Sequence, residues 1–388
     1  MKKYITIALL AFCFSIVASA TNIPNANNIE QQKPKDIKTL YAEEQYYDII
    51  NQYKTKGVKK MTDEELLYVG WSYYMLNELG KADSYVSKLL SRQSKNSSAH
   101  QLKGLVLVTE GKSEEALPSF LKAIELDPSQ GKYYTDAANA YRDKEDLSKA
   151  IEYYKKGISA QKPSEQAYFM LADIYDYEGN HKQSLETFYD AKKNIRKDQE
   201  LYATVLYNIG TMEMDRGNFS QAIVAYNELA EYFPDDYMTY SRLVQCCYAL
   251  GDYEIGDTYK SVLYEAYENG LLTDGEFAEK FCVDIFKVGD KIISAYEYFH
   301  SVNDVVKETD SPIFVFYVVN TLGLVEAEIQ YKSQGGSKSA YVLESFNPGN
   351  KKRIRTVVKE YYDYPKLKDI IKEGVANSYT FRAGLNQN

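Results

Sequence analysis

The residue types that usually carry chemistry are present here, but not in combinations that react. Three histidines, His100, His181 and His300, stand far apart, with no metal-ligand spacing to one another or to a cysteine. Beyond Cys13 there are three cysteines, Cys246, Cys247 and Cys282. An odd number makes no disulfide framework, and a bond between the adjacent pair would be strained on a helix, so all three read as buried thiols. The 55 carboxylates form no recognisable acid-base motif, and there is no glycine-rich phosphate loop, no Ser-His-Asp order and no HExxH. The expectation is a chain that is not an enzyme and uses no cofactor or metal. Recognition is the chemistry that remains. A net charge of −9 speaks against a nucleic-acid partner, which would need a basic face. Tyrosine is the unusual residue, with 38 copies against 15 Phe and one Trp. A tyrosine packs its ring and keeps its hydroxyl wet, which suits partly exposed helix positions.

Helices must position those rings. Glu110 to Pro128 reads EGKSEEALPSFLKAIELDP, with Ala116 and Ala123 flanking Phe120 at helical neighbour spacings of four and three. Two small residues around one ring make a face that a second helix can approach closely. Copies of this pattern begin at Asp63, Ser97, Gly131 and Glu165, each 34 residues after the last. Gly70, Gly104, Ala138 and Ala172 hold the eighth place, and Ala82, Ala116, Ala150 and Ser184 the twentieth. Val86, Phe120, Tyr154 and Phe188 hold the twenty-fourth, and Leu89, Ala123, Gly157 and Ala191 the twenty-seventh. After a four-residue insertion, a fifth copy starts at Ala203 with Gly210, Ala222, Tyr226, Leu229 and Pro234, and a weaker sixth starts at Tyr237.

This period and placement of small residues resemble the tetratricopeptide repeat, a two-helix unit. The resemblance covers about Asp63 to Ala266, with a half-unit before it from Ile37. It implies a mainly α superhelix over residues 37–266 whose concave face, lined by the first helix of each unit, binds a protein or peptide. The face residues it implies are Trp71, Tyr74, Asn139, Arg142, Phe169, Asp173, Asp176, Tyr177, Tyr207 and Tyr248. Some members hold a peptide's terminal carboxylate with Lys, Asn and Arg. Lys132, Asn139 and Arg142 match that cluster in part, and the next unit turns acidic at Asp173 and Asp176.

Residues 267–376 have another texture. Ile313 to Val319 is an apolar run that reads as a buried strand. Leu324 to Lys332 alternates, which makes a hairpin through Asn320 to Gly323, and Ala340 to Phe346 is a third strand. Asn350 to Gly374 reads as helix, interrupted near Pro365, with Ile354, Val357, Val358 and Tyr361 as a stripe covering the sheet. Lys351, Lys352, Arg353 and Arg355 then fall in a solvated first turn. Together this predicts a small antiparallel sheet backed by a C-terminal helix, an α+β module, followed by a flexible tail at 377–388.

At the other end, Lys2 and Lys3, an apolar run from Tyr4 to Val17 and Ala18-Ser19-Ala20 form a secretory signal peptide, with cleavage near Ala20. Residues 21–36 are polar and Asn-rich and read as a disordered linker. No later stretch is apolar for long enough to span a bilayer. The chain is therefore expected to be exported, periplasmic or attached to the cell surface, and its Tyr-rich, Lys-rich character resembles envelope proteins of the Bacteroidota. Two functions are open. One is a scaffold for a protein or peptide partner in the bacterial envelope. The other is a glycan-binding protein that stacks sugars on Trp71, Phe169 and Tyr177.

Overall fold

The computed structural model describes residues 35–197, 200–273, 275–299, 312–334, 340–358, 360–379 and 381. The signal peptide, most of the linker, and residues 380 and 382–388 of the tail lie outside them. The chain divides into two compact units at Asn194/Ile195.

The first unit is all helix. Two short helices, α1 (Ile37–Ala42) and α2 (Tyr46–Tyr53), precede four helical hairpins. These are α3 (Asp63–Met75) with α4 (Leu79–Arg92), α5 (Ser97–Thr109) with α6 (Ser113–Leu126), α7 (Gly131–Asp143) with α8 (Leu147–Ser159), and α9 (Glu165–Tyr177) with α10 (His181–Asn194). Each hairpin starts on the residue that the 34-residue repeat assigns to it. Local chemistry explains some of these starts. Thr62 and Glu65 form a reciprocal capping box at α3, and the Asn96 side chain accepts from the Ala99 N–H at α5. Within a hairpin the helices meet at the small residues. A Cβ added to Gly104 of α5 would lie 2.4 Å from the ring of Phe120 in α6, so only glycine lets that ring seat.

The second unit opens with two more hairpins, α11 (Glu200–Asp215) with α12 (Phe219–Tyr232) and α13 (Tyr237–Leu250) with α14 (Tyr253–Glu268). Gly210 of α11 stands to Tyr226 of α12 as Gly104 does to Phe120, with an added Cβ 2.5 Å from the ring. Six strands follow, β1 (Lys280–Val288), β2 (Lys291–Tyr298), β3 (Pro312–Val319), β4 (Val325–Gln334), β5 (Ala340–Asn347) and β6 (Lys352–Val358), and then helix α15 (Tyr364–Ala376). The sheet is an antiparallel meander in the order β1-β2-β3-β4-β5-β6. The fold class expected from the sequence, mainly α repeats followed by an antiparallel sheet and a C-terminal helix, is the one observed.

The sheet is larger than its sequence pattern suggested. Residues 350–358 are not helical, and the stripe Ile354, Val357, Val358 and Tyr361 does not exist as a helix face. Ile354, Thr356 and Val358 instead share one face of β6, paired with Ser345, Leu343 and Tyr341 of β5. The β-branched run favours a strand, and side chains alternating at period two override the three-and-four spacing. Lys351 sits in the β5–β6 turn at φ 56°, and Lys352, Arg353 and Arg355 lie on β6, so there is no basic first turn of a helix. Pro365 lies in the first turn of α15, where its missing N–H costs nothing, and the Asp363 side chain caps the helix. One apolar cluster unites the unit: Val244 of α13, Leu263 and Ala266 of α14, Phe281, Ile293, Phe314, Phe316 and Ile329 of the sheet, and Leu367 and Ile371 of α15. In the stretch read as a tail, the Tyr379 hydroxyl donates to Glu326 and Phe381 is buried.

Candidate functional site

In the first unit, the first helices of the hairpins carry the face implied by the repeat. Trp71 of α3 is half-buried and meets Tyr74 edge-on at 5.8 Å between ring centroids. Its Nε1 donates to Ser98 Oγ at 3.4 Å, and its ring packs with the apolar cluster of α1, α2 and α3. Trp71 thus anchors the N-terminal helices as well as edging the face.

The polar centre is built by α7 and α9. Asn139 Oδ1 accepts from the Tyr154 hydroxyl of α8, and Arg142 Nη1 points at Met170 Sδ, 3.1 Å away. Burial raises the Asp173 carboxyl above its ordinary range; the Arg142 guanidinium opposes that rise and Asp176 adds to it. Asp176 Oδ1 lies 2.7 Å from His181 Nδ1. Tyr177 projects from the end of α9 with 81 % of its surface in solvent. Arg142 and Asp176 therefore both bear on the Asp173 carboxyl, and the open Tyr177 ring follows Asp176 at the end of the same helix.

Two implied face residues are core residues. Phe169 is 9 % exposed and packs edge-on against Phe188 of α10 at 5.7 Å. Tyr248, in the second unit, is 2 % exposed, with its hydroxyl on Asp257 Oδ1 and its ring 5.0 Å from Tyr364 of α15. The reason is visible in α13. Strand β1 packs along it, Ser241 Oγ donates to the Cys282 carbonyl at 3.3 Å, and Gln245 is buried. The chain's own sheet covers the face on which Tyr248 would have met a partner. Tyr207 of α11 remains half-buried, edge-on to Tyr226 at 6.1 Å.

Two further groups stand outside those ten face residues, although Gln101 also falls at a groove place that the repeat resemblance implies. Gln101 Nε2 donates to Asp136 Oδ2 at 2.7 Å, while Gln101 Oε1 is buried with no partner. Burial pushes the Asp136 carboxyl up to about 6, against the pull of the Gln101 hydrogen bond and of Lys132. In the second unit, Arg242 of α13 is a half-buried cation whose Nε has no acceptor. Its only signal in the sequence is a lone charge beside the mostly apolar run Leu243 to Tyr248. Among the described residues no group of three His, Cys, Asp or Glu side chains could hold a metal ion, and no helix is long and apolar enough to cross a membrane.

Family models described as tetratricopeptide repeat match residues 97–130, 131–163 and 165–198, and a second such model matches 207–254. The chain carries tetratricopeptide repeats. Repeats of this kind bind protein or peptide partners. Superkiller protein 3 of Schizosaccharomyces pombe is 24 % identical over 227 residues, 54 % of this chain and 16 % of that protein. The protein O-mannosyl-transferase TMTC2 of Homo sapiens is 27 % identical over 209 residues, 53 % of this chain and 24 % of that protein. The matched region thus spans less than a quarter of each of these curated relatives. A solved structure, the C-terminal part of a TPR repeat-containing protein from Cytophaga hutchinsonii, is 16 % identical with a TM-score of 0.43, covering 62 % of this chain and 96 % of that one.

Proposed function

We propose that this repeat protein is an exported, non-enzymatic scaffold of the bacterial cell envelope that holds a protein or peptide partner on the first-helix face of its first unit. The observation that carries this reading is Tyr177, an aromatic ring open to solvent at the end of the helix that carries Asp173 and Asp176. Aromatic and arginine side chains are the usual anchors of protein interfaces, and a half-buried charge gains most from a partner that excludes water. Export is supported by the basic start, the apolar run and the Ala18-Ser19-Ala20 signal. The glycan reading has less support. A sugar platform needs rings open to solvent, yet Phe169 is buried and Trp71 packs among the N-terminal helices.

The test is photo-crosslinking in intact envelopes from a photoreactive residue placed at 71 or 177. One protein captured from position 177, in a fraction released with periplasmic or surface material, is the expected result. Capture only from positions on the sheet, or a chain retained in the cytoplasm, rejects the reading.

A further inference from the structure

The sheet is an up-and-down meander, so its β1–β2, β3–β4 and β5–β6 turns emerge along one edge, about 10 Å apart at the ordinary strand spacing. The middle turn, Asn320 to Leu324, combines two properties. Leu322 and Leu324 leave 63 % and 60 % of their surface in solvent, and Val325 beside them is exposed as well. Yet the backbone under them needs no water. Asn320 Oδ1 accepts from the Leu322 and Leu324 N–H groups at 2.9 and 3.0 Å. The Gly323 N–H donates to the Asn320 carbonyl at 2.9 Å, and the Asn320 N–H donates to the Leu324 carbonyl at 3.0 Å. Gly323, at φ 77°, lets the turn close in this way. Basic side chains flank it. The three turns, with two residues on each side, carry Lys287, Lys291, Lys351, Lys352 and Arg353 against Asp290 and Glu326, in a chain of net charge −9. Among the described residues Lys287, Lys351 and Lys352 have no ion pair, while Lys291 holds Glu326 and Arg353 holds Glu344.

Two open leucines on a tip whose amides are already satisfied suit an apolar medium, where an unpaired N–H or C=O finds no water to bond. An apolar pocket in a second protein would take the same two leucines, but it would leave unused the cations that extend about 10 Å to either side of them. An anionic lipid surface uses both, because apolar side chains enter the acyl boundary while lysines stay at the phosphates. We propose that this edge of the sheet docks on an anionic phospholipid bilayer, with Leu322 and Leu324 inserted and Lys351 and Lys352 against the headgroups. The contact is peripheral, made by a turn and its neighbours. The inference goes beyond the scaffold reading and does not depend on it, since every residue of the edge belongs to the second unit.

The experiment is co-flotation of the chain from Thr21 onward, the form left by signal cleavage, so that the apolar run Tyr4 to Val17 cannot itself bind lipid. Vesicles are phosphatidylcholine alone or phosphatidylcholine mixed with phosphatidylglycerol. The expected result is flotation with the anionic vesicles and at least tenfold weaker binding to the neutral ones. Leu322→Ser with Leu324→Ser, and separately Lys351→Glu with Lys352→Glu, should each weaken binding at least tenfold. Both should melt with the wild type, because all four side chains are exposed. A chain that stays off anionic vesicles, or a leucine variant that floats like the wild type, overturns the proposal, and equal binding to neutral vesicles overturns the choice of an anionic surface. Leu322→Trp adds a readout that misfolding of the other variants cannot affect. Acyl-brominated lipid should quench its emission beyond that of the wild type, whose one tryptophan, Trp71, lies in the first unit; no added quenching overturns the proposal. Self-association without lipid that the leucine variant abolishes would assign the tip to a protein pocket and overturn it too. Crosslinking from position 177 uses the first unit. Its loss rejects the scaffold reading alone, and an edge that ignores lipid rejects this inference alone.

Discussion

The Asp284 carboxylate on β1 lies 2.6 Å from the Lys368 ammonium on α15, and both side chains are almost wholly removed from solvent. The Tyr364 hydroxyl donates to the same carboxylate at 2.8 Å. This pair ties the C-terminal helix to the strand that lies along the last repeat. Removing one partner from a buried ion pair leaves an uncompensated charge, a loss of about 3–5 kcal/mol. Lys368→Met should therefore destabilise the chain by about that amount in urea unfolding, and adding Asp284→Asn should recover at least half of the loss. A Lys368→Met protein as stable as the wild type would show that the pair does not hold the helix.

Close approach within the hairpins makes a second prediction. Ala116 is fully buried, so Ala116→Glu should cost several kcal/mol by forcing a charge into a tight helix contact. Gly104→Ala should also be clearly destabilising, because its new Cβ collides with Phe120. Gly80, in the first turn of α4, has nothing within 4 Å of an added Cβ, so Gly80→Ala should stabilise by up to about 1 kcal/mol through helix propensity alone. Thermal unfolding of the three variants checks the order.

Asp136 makes the stability depend on pH. Its carboxyl is raised from 3.8 to about 6 by burial, so the folded state holds the proton more tightly than the unfolded chain does. That contribution is complete at low pH and is lost as the pH rises from about 4 through about 6. Asp136→Asn should therefore match the wild type near pH 4 and exceed it by about 2 kcal/mol at pH 8, after allowance for the residue's partial exposure. Parallel unfolding curves at both pH values would show the residue to be solvated.

Tyr177 and Phe169 separate binding from packing on one helix. Tyr177→Ala removes a ring that is 81 % exposed, so the melting temperature should be unchanged while capture of the partner falls. Phe169→Ala empties a buried site and should cost about 3–4 kcal/mol. If both variants lose stability equally, the open ring at the end of α9 is not a binding element.

The repeats were legible from the residues because each unit restates one local rule. A small residue at the eighth place and a ring at the twenty-fourth can meet only as two close-packed helices, so Asp63, Ser97, Gly131 and Glu165 could be named as helix starts without coordinates. Most of the sheet was harder to read. Ile354 to Val358 satisfies helical and extended spacing alike, and only pairing with β5, through contacts remote in sequence, made it a strand. The same holds for the face. That first helices line it was implied by the resemblance to the repeat family, but Phe169 and Tyr248 were withdrawn from it by packing, Tyr248 because β1 and α15 cover α13. Arg242 is the converse case. The sequence by itself determined a positive charge at that place in α13, and only the tertiary structure decided that it is half-buried without an ion pair among the described residues, because packing of the helix turns it toward the Gln245 amide and leaves its Nε without an acceptor.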